Sequence, residues 1–188
     1  AVAALVATVL ALAATGSLVP DLSVPAHEPW WIWLGGFMGV CFIAGNVVLF
    51  PQLGAVQTVI LPILGQVIMG LVVDRFGLFQ SPRVSVGLWR LLGAAIVVVG
   101  IAMVLEIPRV TNEHGSASGA KLWLLRGFGV LIGMGSAAQT AVNGRLGKAL
   151  GSPFQASQIS LAVGLLVLLV LVLALPGPRW ALSTGIAP

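Results

Sequence analysis

The stretch GSAAQTAVNGRLGKALGSPFQAS, residues Gly135 to Ser157, is the longest polar interruption between two strongly apolar runs of this chain. Gln139 and Asn143 stand four residues apart, so a helix carries both amides on one face. Arg145 and Lys148 follow, and Gly151, Ser152 and Pro153 make a turn signal. The pattern predicts a helix whose inner end bears amides and whose exit is basic. Working outward from it in both directions, the sequence is apolar runs of spanning length and the short joints between them.

Composition agrees. Of 188 residues, 59% are hydrophobic and 7% charged, where a soluble domain averages about 25% charged. With a mean hydropathy of +1.09 the chain reads as an integral membrane protein. Nine basic against five acidic residues give a net charge of +4. At this polarity that is membrane-loop chemistry, and no basic patch with interleaved aromatics points to nucleic acid. Cys41 stands alone in an apolar run, where a small packing residue is expected and no internal disulfide can form. His27 and His114 are far apart, so no metal site, cofactor or catalytic constellation is expected and the chain does not read as an enzyme. It opens without methionine inside an apolar run and has no basic n-region of a signal peptide, which reads as a portion of a longer chain.

A spanning helix needs about 20 mostly apolar residues, and six segments are expected: Ala1 to Val19, Trp30 to Phe50, Gln52 to Val73, Leu91 to Leu105, Leu122 to Asn143 and Phe154 to Leu175. Trp30, Trp31 and Trp33 at a helix mouth read as interfacial anchors. Pro51 is the expected joint of a tight hairpin, and Pro62 is expected to bend the third segment. Gly35 with Gly39 and Gly129 with Gly133 have GxxxG spacing, which suits close helix packing. An unpartnered amide in hydrocarbon is costly, so Gln139, Asn143, Gln66, Asn46 and Gln57 are expected to face other helices or a polar cavity and are the candidate solute contacts. Asp74 and Glu106, at helix ends, read as solvated interface charges. The last apolar segment is similar in composition to the first, and the helix count between them would insert the two copies from opposite sides.

The blocks QTAVNGRLGKALGSPFQAS (139–157), PWWIWLGGFMGV (29–40) and GQVIMGLVVDRFGLF (65–79) resemble the drug/metabolite transporter superfamily, in its YdcZ-like bacterial inner-membrane branch. The resemblance implies an all-α polytopic membrane protein with an EamA-like fold of two inverted five-helix repeats, of which about six transmembrane helices are present. Residues 1–110 would hold helices two to five of the first repeat, 111–121 the inter-repeat loop, and 122–188 helices one and two of the second. It implies a multi-pass secondary transporter of the inner membrane, an exporter of a small organic solute or metabolite. Its partners would be the lipid bilayer, the solute, and a second copy or another membrane subunit that completes the helix set. The alternative is a non-transporting membrane subunit packed against a larger assembly.

Overall fold

The run Trp30–Phe76 is 47 residues long. As one straight helix it would extend about 70 Å, more than twice the ~30 Å of a bilayer's hydrocarbon core. Gly54, at φ 77° and ψ 173°, breaks it. That region of backbone space is essentially closed to any residue with a Cβ. The computed structural model describes Val6, Leu10, Ser23 and residues 27–85, 87–106 and 118–174. In it the break divides helix α1 (Leu34–Phe76) into an N-arm, residues 34–53, and a C-arm, residues 55–76.

The neighbours along a second long helix, α3 (Gly119–Leu150), show that the two arms run in opposite directions. On the N-arm side Ile132, Gln139 and Asn143 lie against Gly45, Gly39 and Gly35, so one set of numbers falls as the other rises. On the C-arm side Leu61 lies against Gly129 and Gly65 against Met134, and Gln66 and Asp74 share a cavity with Ser136 and Thr140, so the numbers rise together. Under the turn, Leu49, Leu53, Leu61 and Ile132 form a buried apolar cluster. Thr58 Oγ1 donates to the Gly54 carbonyl at 2.8 Å, which satisfies a main-chain acceptor at the break. At the opposite end Trp31, before the N-arm, meets Phe79, beyond the C-arm, edge to face at 5.5 Å.

Gly77, at φ 65°, caps the C-arm by donating its N–H to the Val73 carbonyl. The joint then folds back, with the Val84 N–H donating to the Asp74 carbonyl at 3.0 Å. Helix α2 (Leu88–Glu106) returns along the C-arm, tied at its start by an Arg90–Asp74 ion pair of 2.7 Å and at its far end by Leu105 under the Gly54 turn. Between those ties it packs sparsely: 6% of its spanning stretch is buried. Gly151, at φ 66°, ends α3, and α4 (Pro153–Ala174) starts with proline at its first position and the Ser152 hydroxyl accepting from the Gln155 N–H at 3.4 Å. α4 lies parallel to the N-arm, Ala156 and Ile159 packing on Ile32, and Gly164 on Gly36.

The protein is therefore all-helical, with four helices and no strand among the described residues, and three stretches, Trp30–Phe76, Leu88–Leu105 and Pro153–Ala174, long and apolar enough to span. Six spans were expected, and the differences have physical causes. All of the first segment but Val6 and Leu10 lies outside the described residues. The second and third segments are one helical run turned at Gly54 and not at Pro51: proline lacks an N–H but its fixed φ is close to helical, whereas only glycine reaches the angles of the turn. The segment Leu122 to Asn143 lies inside the longer α3, whose glycines, amides and Arg126 dilute its apolarity. α3 tolerates them because both arms of α1 and α4 surround much of it. Of the expected inter-repeat loop, Gly119 to Lys121 is already helical and 111–117 lies outside the described residues. Cys41, expected to pack, is exposed, because it falls with Phe37, Ala44 and Val48 on the outward stripe of the N-arm.

Candidate functional site

Ser136, Gln139, Thr140 and Asn143 recur at i, i+3, i+4 and i+7, so α3 carries one polar stripe. The hairpin of α1 straddles it. On the N-arm edge, a Cβ at Gly39 would stand 2.7 Å from Gln139 Nε2, and one at Gly35 would overlap Asn143 Oδ1. Both amides therefore lie directly on glycine main chain. Asn143 Oδ1 is buried with no hydrogen-bond partner. Its near neighbour is the Gly35 hydrogen that takes the place of a side chain, a weak Cα–H donor.

On the C-arm edge the stripe opens into a cavity of about 330 Å³, lined among others by Gln66, Asp74, Ser81, Ser136 and Thr140. Gln66 and Asp74 reach it from one helix because they are eight residues apart, close to two turns and a fraction. Thr140 Oγ1 donates to the Ser136 carbonyl at 3.1 Å, which leaves the hydroxyl's lone pairs to the cavity. A second cavity, of about 480 Å³, lies where α3 turns into α4 and is lined by Asn143, Gly147, Lys148, Ala156 and Ser157 among others. The two cavities lie toward the same end of the bundle, the end of Asp74 and Arg145, away from the Gly54 turn.

The five amides singled out from the sequence do not share one cavity. Gln66 lines the first, Asn143 the second, and Gln139 lies between them against Gly39. Gln57 is 1% exposed and accepts at 2.9 Å from Nε of Arg126, whose guanidinium also lies 5.0 Å from the Trp123 ring centre. Asn46 turns back to its own helix, Nδ2 donating to the Phe42 carbonyl at 2.8 Å. Gln57 thus ties the C-arm to Arg126 of α3, while Asn46 is engaged within its own helix. Of the tryptophans, Trp30 is exposed, while Trp31 and Trp33 pack on the Ile32, Leu146 and Ile159 cluster. Gly129 lies against Leu61 and Leu49, and Gly133 against the Pro62 main chain.

Three features escaped the sequence reading. Asp74 lines the first cavity in addition to its place at a helix end; its i, i+8 relation to Gln66 was the available signal. Ser136 and Thr140 complete the stripe, legible from their spacing to Gln139 and Asn143. The third, a pair between Glu28 and Arg145, had no sequence signal, since 117 positions separate them. There Arg145 Nη2 meets Oε1 at 2.6 Å and Nε meets Oε2 at 3.2 Å, a two-pronged clasp between the mouth of the N-arm and the end of α3.

Comparison with protein families matches residues 1–103 and 124–187, most of the chain, to one model, described as "Putative inner membrane exporter, YdcZ". The chain belongs to the YdcZ family. It is a multi-pass protein of the bacterial inner membrane within the drug/metabolite transporter superfamily, and the family's description makes it a membrane exporter. No curated protein and no solved structure matches it.

Proposed function

We propose that this YdcZ-family chain exports a small organic solute as a secondary transporter, and that the solute is handled along the polar stripe of α3 between the arms of α1. The observation that carries this reading is the 330 Å³ cavity in which Gln66, Asp74, Ser136 and Thr140 converge between otherwise apolar helices. Solute sites are concave, with few convergent polar groups, and polar residues inside membrane helices are costly unless they line a cavity or pair. Asn143 and Gln139 continue the stripe toward the second cavity and would pass the solute from one to the other. The division into helices two to five of a first repeat and one and two of an inverted second belongs to the same reading. It is supported by the break in the family match at residues 104–123, where the chain turns hydrophilic.

Flux in proteoliposomes tests it, with a labelled panel of one amine, one amino acid, one carboxylic acid and one sugar. At least one should cross faster than in empty vesicles. Gln66→Leu and Asn143→Leu should each lower that flux about tenfold or more, corresponding to about 1.4 kcal/mol of lost interaction, with little change in melting temperature. Gln57→Leu and Asn46→Leu should lower melting more than flux per folded protein. No flux with any solute, or flux indifferent to Gln66 and Asn143, overturns the assignment.

A further inference from the structure

We infer that the cavity between the C-arm and α3 takes a primary aliphatic ammonium, with Asp74 as its counter-ion and Arg90 as the group it displaces. The inference rests on the transporter reading and names its solute class. The cavity wall supplies a carboxylate, the Gln66 amide and the hydroxyls of Ser81, Ser136 and Thr140. An ammonium has three N–H donors and no acceptor, and this wall offers one anionic acceptor and several neutral ones. No aromatic ring lines the cavity among the described residues. A quaternary ammonium, which is held by aromatic faces, finds nothing to stack on there. Of the other basic side chains at this end, Arg75 and Arg83 are exposed, Arg145 is paired with Glu28 and Lys148 lines the second cavity, so none of them is in this cavity's lining.

In this structure the Asp74 carboxylate is engaged by Arg90, which reaches it from α2 at 2.7 Å. The two side chains are 30% and 46% exposed, which makes this a weak ion pair. Among the described residues Arg90 supplies an ion-pair tie for a helix that buries 6% of its span. A ligand ammonium at Asp74 and the Arg90 guanidinium therefore compete for one carboxylate. Occupation of the cavity releases the start of α2 while the apolar contact of Leu105 under the Gly54 turn remains.

Competition fixes a sign that a merely structural ion pair does not share. Calorimetric titration of the full-length protein in detergent with n-butylammonium should give saturable binding, with tetramethylammonium and butyrate at least tenfold weaker. Asp74→Asn should weaken butylammonium binding tenfold or more, whereas Arg90→Gln should tighten it several-fold. If both variants weaken binding alike, or if butyrate binds better than butylammonium, the assignment is overturned. Arg90→Gln guards against misfolding, since a gain of affinity requires a folded site. Butylammonium that fails to bind a protein still exporting an acid, a sugar or an amino acid sinks this inference and leaves the transporter reading standing.

Discussion

A methyl group added at Gly36, Gly65 or Gly133 meets main chain: the Ser160, Val130 and Pro62 carbonyls respectively. Main chain cannot rotate away, so each alanine variant should separate two helices and lower stability by about 1–3 kcal/mol, read as loss of thermal stability in detergent. At Gly35 and Gly39 the obstacles are side-chain amides, Asn143 and Gln139, which can move. Alanine there should cost less stability and disturb flux more. Gly93 and Gly100 meet nothing within 4 Å, so their alanine variants should be neutral or stabilising by up to about 1 kcal/mol. A ranking without these three groups would contradict the packing described. Spacing alone picked out Gly35, Gly39, Gly129 and Gly133 but gave no reason to separate Gly65 from Gly93, because what a glycine touches is decided by another helix. The amides behaved likewise. Their cost in hydrocarbon said that each needed a partner, and only the tertiary arrangement tells Gln57, bonded to Arg126, from Gln66, which faces a cavity.

Among the elements, the α1 hairpin shows how far punctuation in a sequence can be trusted. Proline breaks helices in water because it leaves a carbonyl unsatisfied and crowds the preceding turn, and Pro51 therefore stood as the natural joint. Inside a helical bundle neighbouring helices and side chains compensate for such a loss. The turn comes three residues later, at the one position whose φ of 77° demands glycine. Gly54→Ala should therefore destabilise the protein by about 1–3 kcal/mol, the cost of holding a Cβ in a sparsely populated backbone region. Pro51→Ala should change stability by clearly less. Equal effects in thermal unfolding would return the joint to Pro51. α3 was more legible: its amide spacing, basic exit and Gly-Ser-Pro turn all appear in the structure. Its membrane character was less so, since a helix packed along much of its length by both arms of α1 and by α4 needs less apolar surface than one facing lipid.

Across the whole molecule, the basic residues of the described segments fall at the two ends of the bundle. Arg75, Arg83, Arg90, Arg145 and Lys148 gather at the Asp74 end, while among the described residues the Gly54 end has Lys121 and Arg126, the latter engaged by Gln57. Lysine and arginine close to the ends of spanning helices mark the cytoplasmic side, and Arg75 and Lys148 stand in the last turns of α1 and α3, so the Asp74 end should face the cytoplasm. Both cavities lie toward that end, the side from which an exporter must load. If residues 1–19 form the second helix of a first repeat, its start lies at the Gly54 end, opposite the start of α4, as inverted copies require. Single cysteines placed by Ser85→Cys, Ser118→Cys and Ala1→Cys in a Cys41→Ala background test both statements with a membrane-impermeant maleimide. In intact cells Ser118→Cys and Ala1→Cys should label, and Ser85→Cys only after the membrane is permeabilised. Labelling of Ser85→Cys in intact cells reverses the orientation. Ala1→Cys reacting in step with Ser85→Cys would put both similar segments in the membrane the same way round, and the inverted repeat would fall while the α1 hairpin and its cavity remained.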